Sequence, residues 1–339
     1  MEVEVASNVQ WLTEIVDASY VGEARRSAVE CAARIGMNET DCGKIAIAVT
    51  EIATNLLKHA GHGKIIFESV SQNGSRGLRV LAVDKGPGIH DISAALQDGY
   101  STFGSNGNGL GAIRRLSTTF EVYSVPGSGT CLVAEFFPQR SQNCSGFFSL
   151  GVVSLAMRGQ PVCGDGWGTR ATPDGSFFMV VDGLGHGTFA SEAAREAERV
   201  LADSQATSAA DILRDCHCAL KKTRGAAAAV AAISREKRTL TYAGIGNISA
   251  TVIDRQGRRG IASHSGTLGH QMRKVQEFTA PWNEDSILVM HSDGLGSRWD
   301  LDAYPGLTVK HPSIIAAMLY RDFQREHDDV TVMIAKNSQ

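Results

Sequence analysis

Apolar and polar residues along this chain follow two rhythms that change places several times. After a short opening strand, a helical period runs through residues 11–35. It returns through residues 38–60, where Ile45, Val49, Ile52, Ala53, Leu56 and Leu57 form one stripe. Gly36 and Gly61 follow as stop signals, and Asn38 stands where an N-cap belongs, with Asp41 three residues on. Alternation then predicts strands over 64–70 and 78–84, joined through Asn73-Gly74, a pair that favours a tight hairpin. A short helix over 112–116 and strands over 120–125 and 131–137 complete the first half.

Residues 139–145 are polar and without period, which marks a linker. Beyond it, apolar runs predict strands over 147–158, 177–181, 227–234, 239–244, 248–254, 286–291 and 330–335. Helical spacing returns over 190–204, 209–224 and 312–325. The pattern predicts an α+β chain of two domains, 1–138 and 146–339, and 339 residues suffice for two separate cores.

Charge narrows the partners. A net charge of -3 with scattered Lys and Arg predicts no nucleic-acid or membrane surface, so proteins and small molecules are the expected partners. The N-terminal residues lack a basic and apolar leader, and the longest small-apolar run, 226–233, is far short of a span, so a cytoplasmic protein is expected. Seven cysteines without paired C-x-x-C spacing read as reduced packing thiols. Cys216 and Cys218 flank His217, but alternate positions on a helix point apart, which disfavours zinc there.

Several strands end in acids. Met179-Val180-Val181 runs into Asp182-Gly183-Leu184-Gly185-His186-Gly187, and Ile287-Leu288-Val289-Met290 runs into His291-Ser292-Asp293-Gly294. An Asp-Gly pair alone is an ordinary hairpin turn. Asp165, Asp182, Asp293 and Asp328, all at strand edges, are a different matter, because carboxylates gathered at one end of a sheet repel unless cations lie between them. Oxygen ligands favour Mg²⁺ or Mn²⁺. In the first half, Glu51 and Asn55 lie one helical turn apart, beside the apolar stripe. Asp84 leads into Gly86 and Gly88, and a glycine-rich loop opens the helix at 112–116, the arrangement that cradles a phosphate.

The order Glu51, Asn55, Asp84-x-Gly86-x-Gly88, Gly107-x-Gly109-Leu110-Gly111 and Gly129-Thr130 resembles the GHKL (Bergerat) ATP-binding α/β sandwich. Within that family it is most similar to the small RsbW and RsbT switch kinases. The resemblance implies that Asn55 holds the Mg²⁺ of ATP, Asp84 accepts the adenine amino group and Thr130 supports Asp84. Gly107, Gly109, Leu110 and Gly111 would wrap the phosphates, and Glu51 would be the base that takes a proton from a protein Ser or Thr hydroxyl.

The second half resembles the SpoIIE and RsbX branch of the type-2C metal-dependent phosphatases. Gly164-Asp165, Asp182 to Gly187, Gly244-Ile245-Gly246-Asn247, Ser292-Asp293-Gly294 and Asp328-Asp329-Val330-Thr331 carry the match. The family implies an α-β-β-α sandwich and two Mn²⁺ or Mg²⁺ ions. Asp182 would bridge them and Gly183 offer its carbonyl; Asp293 and Asp328 or Asp329 would complete the shell of the second ion, and Asp165 would bind metal-held water. A basic residue that holds phosphate is not evident early in the domain, Arg158 being the candidate. Together the resemblances imply a partner-switching regulator that dephosphorylates, and with its ATP-binding half phosphorylates, a STAS-type protein, with a sigma factor or other switch protein downstream. The alternative is an ATP-binding half that only sequesters or senses. Oligomeric state is left open, a dimer being one option.

Overall fold

The computed structural model describes residues 10–72, 74–97, 109–138 and 146–338. Asn73, Gly107 and the linker 139–145 lie outside the described residues. In chain order the first half forms β1 (Gln10–Ile15), α1 (Ala18–Arg34), α2 (Glu39–Asn55), β2 (Gly63–Gln72), β3 (Ser75–Val83), α3 (Ile92–Ala95), α4 (Gly109–Leu116), β4 (Thr119–Ser124) and β5 (Thr130–Phe136). The second forms β6 (Phe148–Leu155), β7 (Asp165–Thr172), β8 (Gly175–Gly183), α5 (Thr188–Asp203), α6 (Ala209–Ala219), β9 (Ala226–Ser234), β10 (Thr239–Ile245), β11 (Ser249–Asp254), β12 (Gly257–Ile261), β13 (Phe278–Pro281), β14 (Ile287–His291), α7 (Pro312–Phe323) and β15 (Val330–Asn337).

These elements make two compact units. Val9–Cys144 clusters with Tyr304–Arg321, and Ser145–Ala303 with Asp322–Gln339. A division at 139–145 puts Tyr304–Arg321 with the second half; in the structure that segment clusters with the first.

In the first unit the strands order as β1-β2-β3-β5-β4, each neighbour antiparallel. Residues 11–15, expected as helix, extend β1 because they pair with β2, Trp11 opposite Phe67 and Ile15 opposite Gly63. The helix starts only where Asp17 caps it, accepting from the Ser19 amide at 2.8 Å. Ile65, Phe67, Val80, Ala82, Leu132 and Ala134 face α1 and α2, meeting Ala28, Ile45, Val49 and Ile52. Alternate residues on the opposite face, Ile66, Leu81 and Val133, are also fully buried. On this face lies the part of α7 that belongs to the unit: the Cys131 thiol approaches the Ile314 carbonyl at 4.0 Å, and the Lys64 ammonium donates to the Tyr320 hydroxyl at 3.1 Å.

The second unit is a sandwich of two five-stranded antiparallel sheets, β13-β10-β9-β8-β7 and β12-β11-β14-β15-β6. The two-residue period of β8 divides its side chains between layers. Phe177, Met179 and Val181 meet α5 and α6, while Phe178 and Val180 meet Leu288, Met290 and Met333 of the facing sheet. No helix of the described residues is long and apolar enough to cross a membrane.

Candidate functional site

In the first unit, Glu51 and Asn55 project from the last turns of α2, which passes directly into a π-helical turn at Leu56–Ala60 and stops at Gly61. Both reach the start of α4. A Cβ placed on Gly109 would lie 3.2 Å from the Asn55 amide nitrogen and 3.5 Å from a Glu51 carboxylate oxygen. The two residues therefore meet where the glycine-rich loop enters its helix. Leu110 packs on the core and Gly111 is buried within α4; Gly107 lies outside the described residues.

Asp84 follows β3. Its Oδ1 accepts from the Gly86 amide at 2.8 Å and the Thr130 amide at 3.2 Å, and its own amide donates to the Thr130 carbonyl at 2.9 Å. Thr130 thus meets Asp84 through its backbone, while its hydroxyl lies 2.9 Å from that of Ser124. Ser124 also accepts from the Ile89 amide at 2.8 Å, so it ties the loop of Gly86 and Gly88 to the sheet. Nothing in the sequence distinguishes this serine from any other. Burial pushes the Asp84 carboxyl up, against the Gly86 and Thr130 amides and the Arg321 charge, which pull it down.

In the second unit, pairing of β7 with β8 sets Asp165 opposite Asp182. The next residue, Gly183, closes the strand with its amide on the Gly164 carbonyl at 3.2 Å. Any side chain there would strike the Ala190 carbonyl, since a Cβ would lie 2.2 Å from it. β14 delivers Asp293, and the Asn247 amide nitrogen lies between two carboxylates, 2.8 Å from Asp293 and 3.3 Å from Asp182. Burial and then the charge of Asp293 push Asp182 up to about 7. Burial and Asp182 raise Asp165 well above the carboxylate range, and burial and Asp293 raise Asp328. Mutual repulsion among acids at one sheet end is what a cation site relieves.

Asp328 and Asp329 differ in their surroundings. Asp329 is 2% exposed, and its two oxygens accept from the Met157 amide at 2.8 Å and the Gly164 amide at 2.9 Å. It anchors the turn before Asp165, whereas Asp328 is half-buried and feels Asp293. Asp165 accepts from the Ser292 hydroxyl at 2.6 Å, and Ser292 accepts from the Thr331 amide at 2.9 Å. Among the described residues, no three carboxylate, imidazole or thiol side chains enclose an ion by themselves. The donor set nevertheless fits Mg²⁺ or Mn²⁺, because such ions are completed by backbone carbonyls and water, and Asp182 and Asp293 already converge on one donor.

Arg158 is exposed beyond β6. A second cation, Arg224, lies beside the Gly183–Gly187 loop: its guanidinium is 4.8 Å from the Phe189 ring, and a Cβ on Gly185 would meet it at 3.2 Å. His186 is exposed in the same loop. Cys216 is buried and Cys218 exposed, on different faces of α6, while His217 accepts from the Gly269 amide at 3.1 Å.

A family model described as a histidine kinase-like ATPase domain matches residues 16–136, and one described as stage II sporulation protein E (SpoIIE) matches residues 172–338. The serine/threonine-protein kinase RsbT of Bacillus subtilis (strain 168) is 40% identical over 107 residues, 32% of this chain and 80% of RsbT. The phosphoserine phosphatase RsbX of the same organism is 29% identical over 145 residues, 42% of this chain and 73% of RsbX. A crystal structure of RsbX in complex with magnesium is 26% identical with a TM-score of 0.51, covering 58% of this chain and 98% of its own. A chain from a study of the bacterial stressosome is 26% identical with a TM-score of 0.53, covering 56% and 99%.

Proposed function

Because the chain belongs to the family of histidine kinase-like ATPases that includes RsbT, and carries a SpoIIE-type domain similar to RsbX behind that ATPase domain, we propose that it is a bacterial partner-switching regulator. Its second unit hydrolyses phosphoserine or phosphothreonine esters on a STAS-type protein, and its first transfers phosphate from ATP to the same class of protein. A sigma factor or other switch protein is the downstream partner, and the setting is the cytoplasm.

The observation that carries the phosphatase reading is the convergence of Asp182 and Asp293 on the Asn247 amide, at the ends of β8 and β14. Asp182, the Gly183 carbonyl, Asp293 and Asp328 would hold the ions. When bound, two divalent cations supply a water acidic enough to attack phosphorus and a positive field for the phosphoryl oxygens. Asp165, oriented by the Ser292 hydroxyl, holds the attacking water in line. Arg224 balances the charge of the arriving phosphate, the role for which sequence offered Arg158. Asp329 keeps the turn before Asp165 in place rather than acting as a ligand.

In the first unit, Asn55 would hold the Mg²⁺ of ATP and Asp84 the adenine amino group, with the phosphates at the Gly109–Gly111 backbone. Glu51 takes the proton from the accepting hydroxyl. A gate between the two reactions is needed, since running both freely only hydrolyses ATP. Asp182→Ala is expected to abolish phosphate release from a phosphorylated STAS protein with Mn²⁺ present, and Asn55→Ala to abolish nucleotide binding. Full turnover in Asp182→Ala would overturn the metal assignment. The second reading, a nucleotide sensor without transfer, draws support from the bonds between Arg321, from the SpoIIE-matched sequence, and the backbone of Asp84 and Ser128. Labelled ATP decides: a sensor changes the phosphatase rate and labels no protein.

A further inference from the structure

The segment Tyr304–Arg321 lies outside the ATPase match of 16–136 and inside the SpoIIE match of 172–338, yet it is part of the first compact unit. Most of its contacts there hold the helix to the sheet. The His311 amide donates to Glu121 at 2.6 Å, and Lys64 meets Tyr320. Arg321 is different, because its partners belong to the nucleotide pocket. One guanidinium nitrogen, Nη1, donates to the Asp84 carbonyl at 2.9 Å and to the Ser128 carbonyl at 2.7 Å. Arg321 is only 9% exposed, so neither carbonyl exchanges it readily for water.

The local backbone explains why a cation is wanted there. Gly129 sits at φ +79°, and a Cβ on it would lie 2.1 Å from the Asp84 carbonyl and 2.9 Å from the Arg321 nitrogen. The turn from Ser128 to Thr130 is therefore pressed against the end of β3. Two carbonyls, of Asp84 and Ser128, point at one place, and their partial negative charges repel unless a donor lies between them. On the other side of the same peptide, the Asp84 carboxylate is fixed by the Gly86 and Thr130 amides. Arg321 thus clamps the backbone of the residue whose side chain meets the base.

We propose that Arg321 is a positioning residue of the nucleotide site, which fixes Asp84 against the Ser128–Thr130 turn and so sharpens selection of adenine. The proposal rests on the reading of Asp84 as the adenine acceptor. It makes nucleotide recognition depend on a helix whose sequence belongs to the phosphatase-matched half, and whose chain continues to Asp328 and Asp329.

The test is equilibrium binding of ATP and of GTP to the full chain. Arg321→Ala and Arg321→Lys are compared with Tyr320→Phe, which on the same helix removes the hydroxyl that Lys64 of β2 donates to, without touching Asp84. Lysine keeps the charge, but its ammonium sits one bond closer to the backbone than Nη1, so it falls short of the two carbonyls. Both Arg321 variants are expected to weaken ATP binding by about tenfold, the loss of one charge-assisted hydrogen-bonded group. GTP binding should change less, so the preference for ATP over GTP falls, while Tyr320→Phe retains it. A general loosening of the helix would lower the melting temperature in all three variants and leave the ATP to GTP ratio alone; that result overturns the proposal. Asp84→Asn separates the two layers. If it abolishes the adenine preference while Arg321→Lys retains wild-type binding, Arg321 has no positioning role; if Asp84→Asn changes nothing, the adenine reading fails and the proposal with it.

Discussion

Glu198 on α5 is a carboxyl in the wrong place for its charge. Gly166 makes room for it, since a Cβ there would lie 2.4 Å from the Glu198 Oε1, and that oxygen accepts from the Trp167 amide at 2.9 Å. Burial pushes the group from 4.5 up to about 7, with the Trp167 amide and Arg195 opposing. Between pH 4.5 and about 7 the unfolded chain has released a proton that the folded chain retains, so stability falls as pH rises and the penalty is complete above about 7. With the carboxyl pushed up to about 7, the penalty comes to about 3 kcal/mol at most.

Glu198→Gln keeps an oxygen for the Trp167 amide and removes the charge. At pH 8 the variant is expected to be more stable than the parent by up to about 3 kcal/mol, and at pH 4.5 by little or nothing. Hydrogen exchange of the β7 and α5 amides, followed from pH 5 to 8 with exchange chemistry corrected for pH, reads the second unit separately from the first. A variant that is less stable at pH 8, or a difference that stays flat with pH, refutes the reasoning. Phosphatase turnover should change little, because Glu198 touches none of the acids assigned to the metal site.

The other perturbations act on paired groups. Arg79 bridges Glu68 at 2.9 Å and Glu135 at 2.7 Å, with all three side chains nearly inaccessible; Arg79→Met should cost about 3–5 kcal/mol in urea unfolding of the first unit, because two buried carboxylates lose their partner. Asn247→Ala removes the donor between Asp182 and Asp293. Without metal it should lower stability by about 1–3 kcal/mol, and Mg²⁺ should raise its melting temperature more than the parent's. Arg224→Ala is expected to lower kcat/KM on a phosphoprotein by about tenfold or more, as loss of a charge-assisted phosphate contact does; unchanged steady-state kinetics would remove Arg224 from the site.

Asp182 and Asp293 were legible because each ends an uninterrupted apolar strand that is buried on both faces, and a glycine follows each. Asp165 was legible as one of four acids at strand edges, but its own strand was not. Its strand β7 reads Asp-Gly-Trp-Gly-Thr-Arg-Ala-Thr, an edge strand with little apolar alternation to announce it. β12 and β13 were missed for the same reason, both being short edge strands with exposed residues. Asn247 stood in the Gly244–Asn247 motif without a role, and Ser124 acts by where the fold brings a small polar group, which composition cannot mark. The contribution of Thr130 was anticipated, but through its backbone amide and carbonyl, which no residue identity encodes.

The helix α7 shows a different limit. Its existence follows from periodicity, but every residue from Pro312 to Arg321 is buried, so no polar face indicates which sheet it serves. Within the first unit it lies, through Ile314 against Cys131 and Tyr320 against Lys64, on the sheet face that α1 and α2 do not reach, where Ile66, Leu81 and Val133 have no accessible surface. Exposing three such side chains costs about 5–9 kcal/mol at roughly 1.5–3 kcal/mol each, comparable to the whole stability of an ordinary domain. A fragment ending at the linker keeps every ATPase motif and loses this cover, together with Arg321. It is therefore expected to aggregate or to unfold at a much lower denaturant concentration than the first unit of the full chain, as read by size-exclusion chromatography and urea titration. A soluble, cooperative fragment that binds ATP with the affinity of the full chain would show that the first half needs nothing from α7.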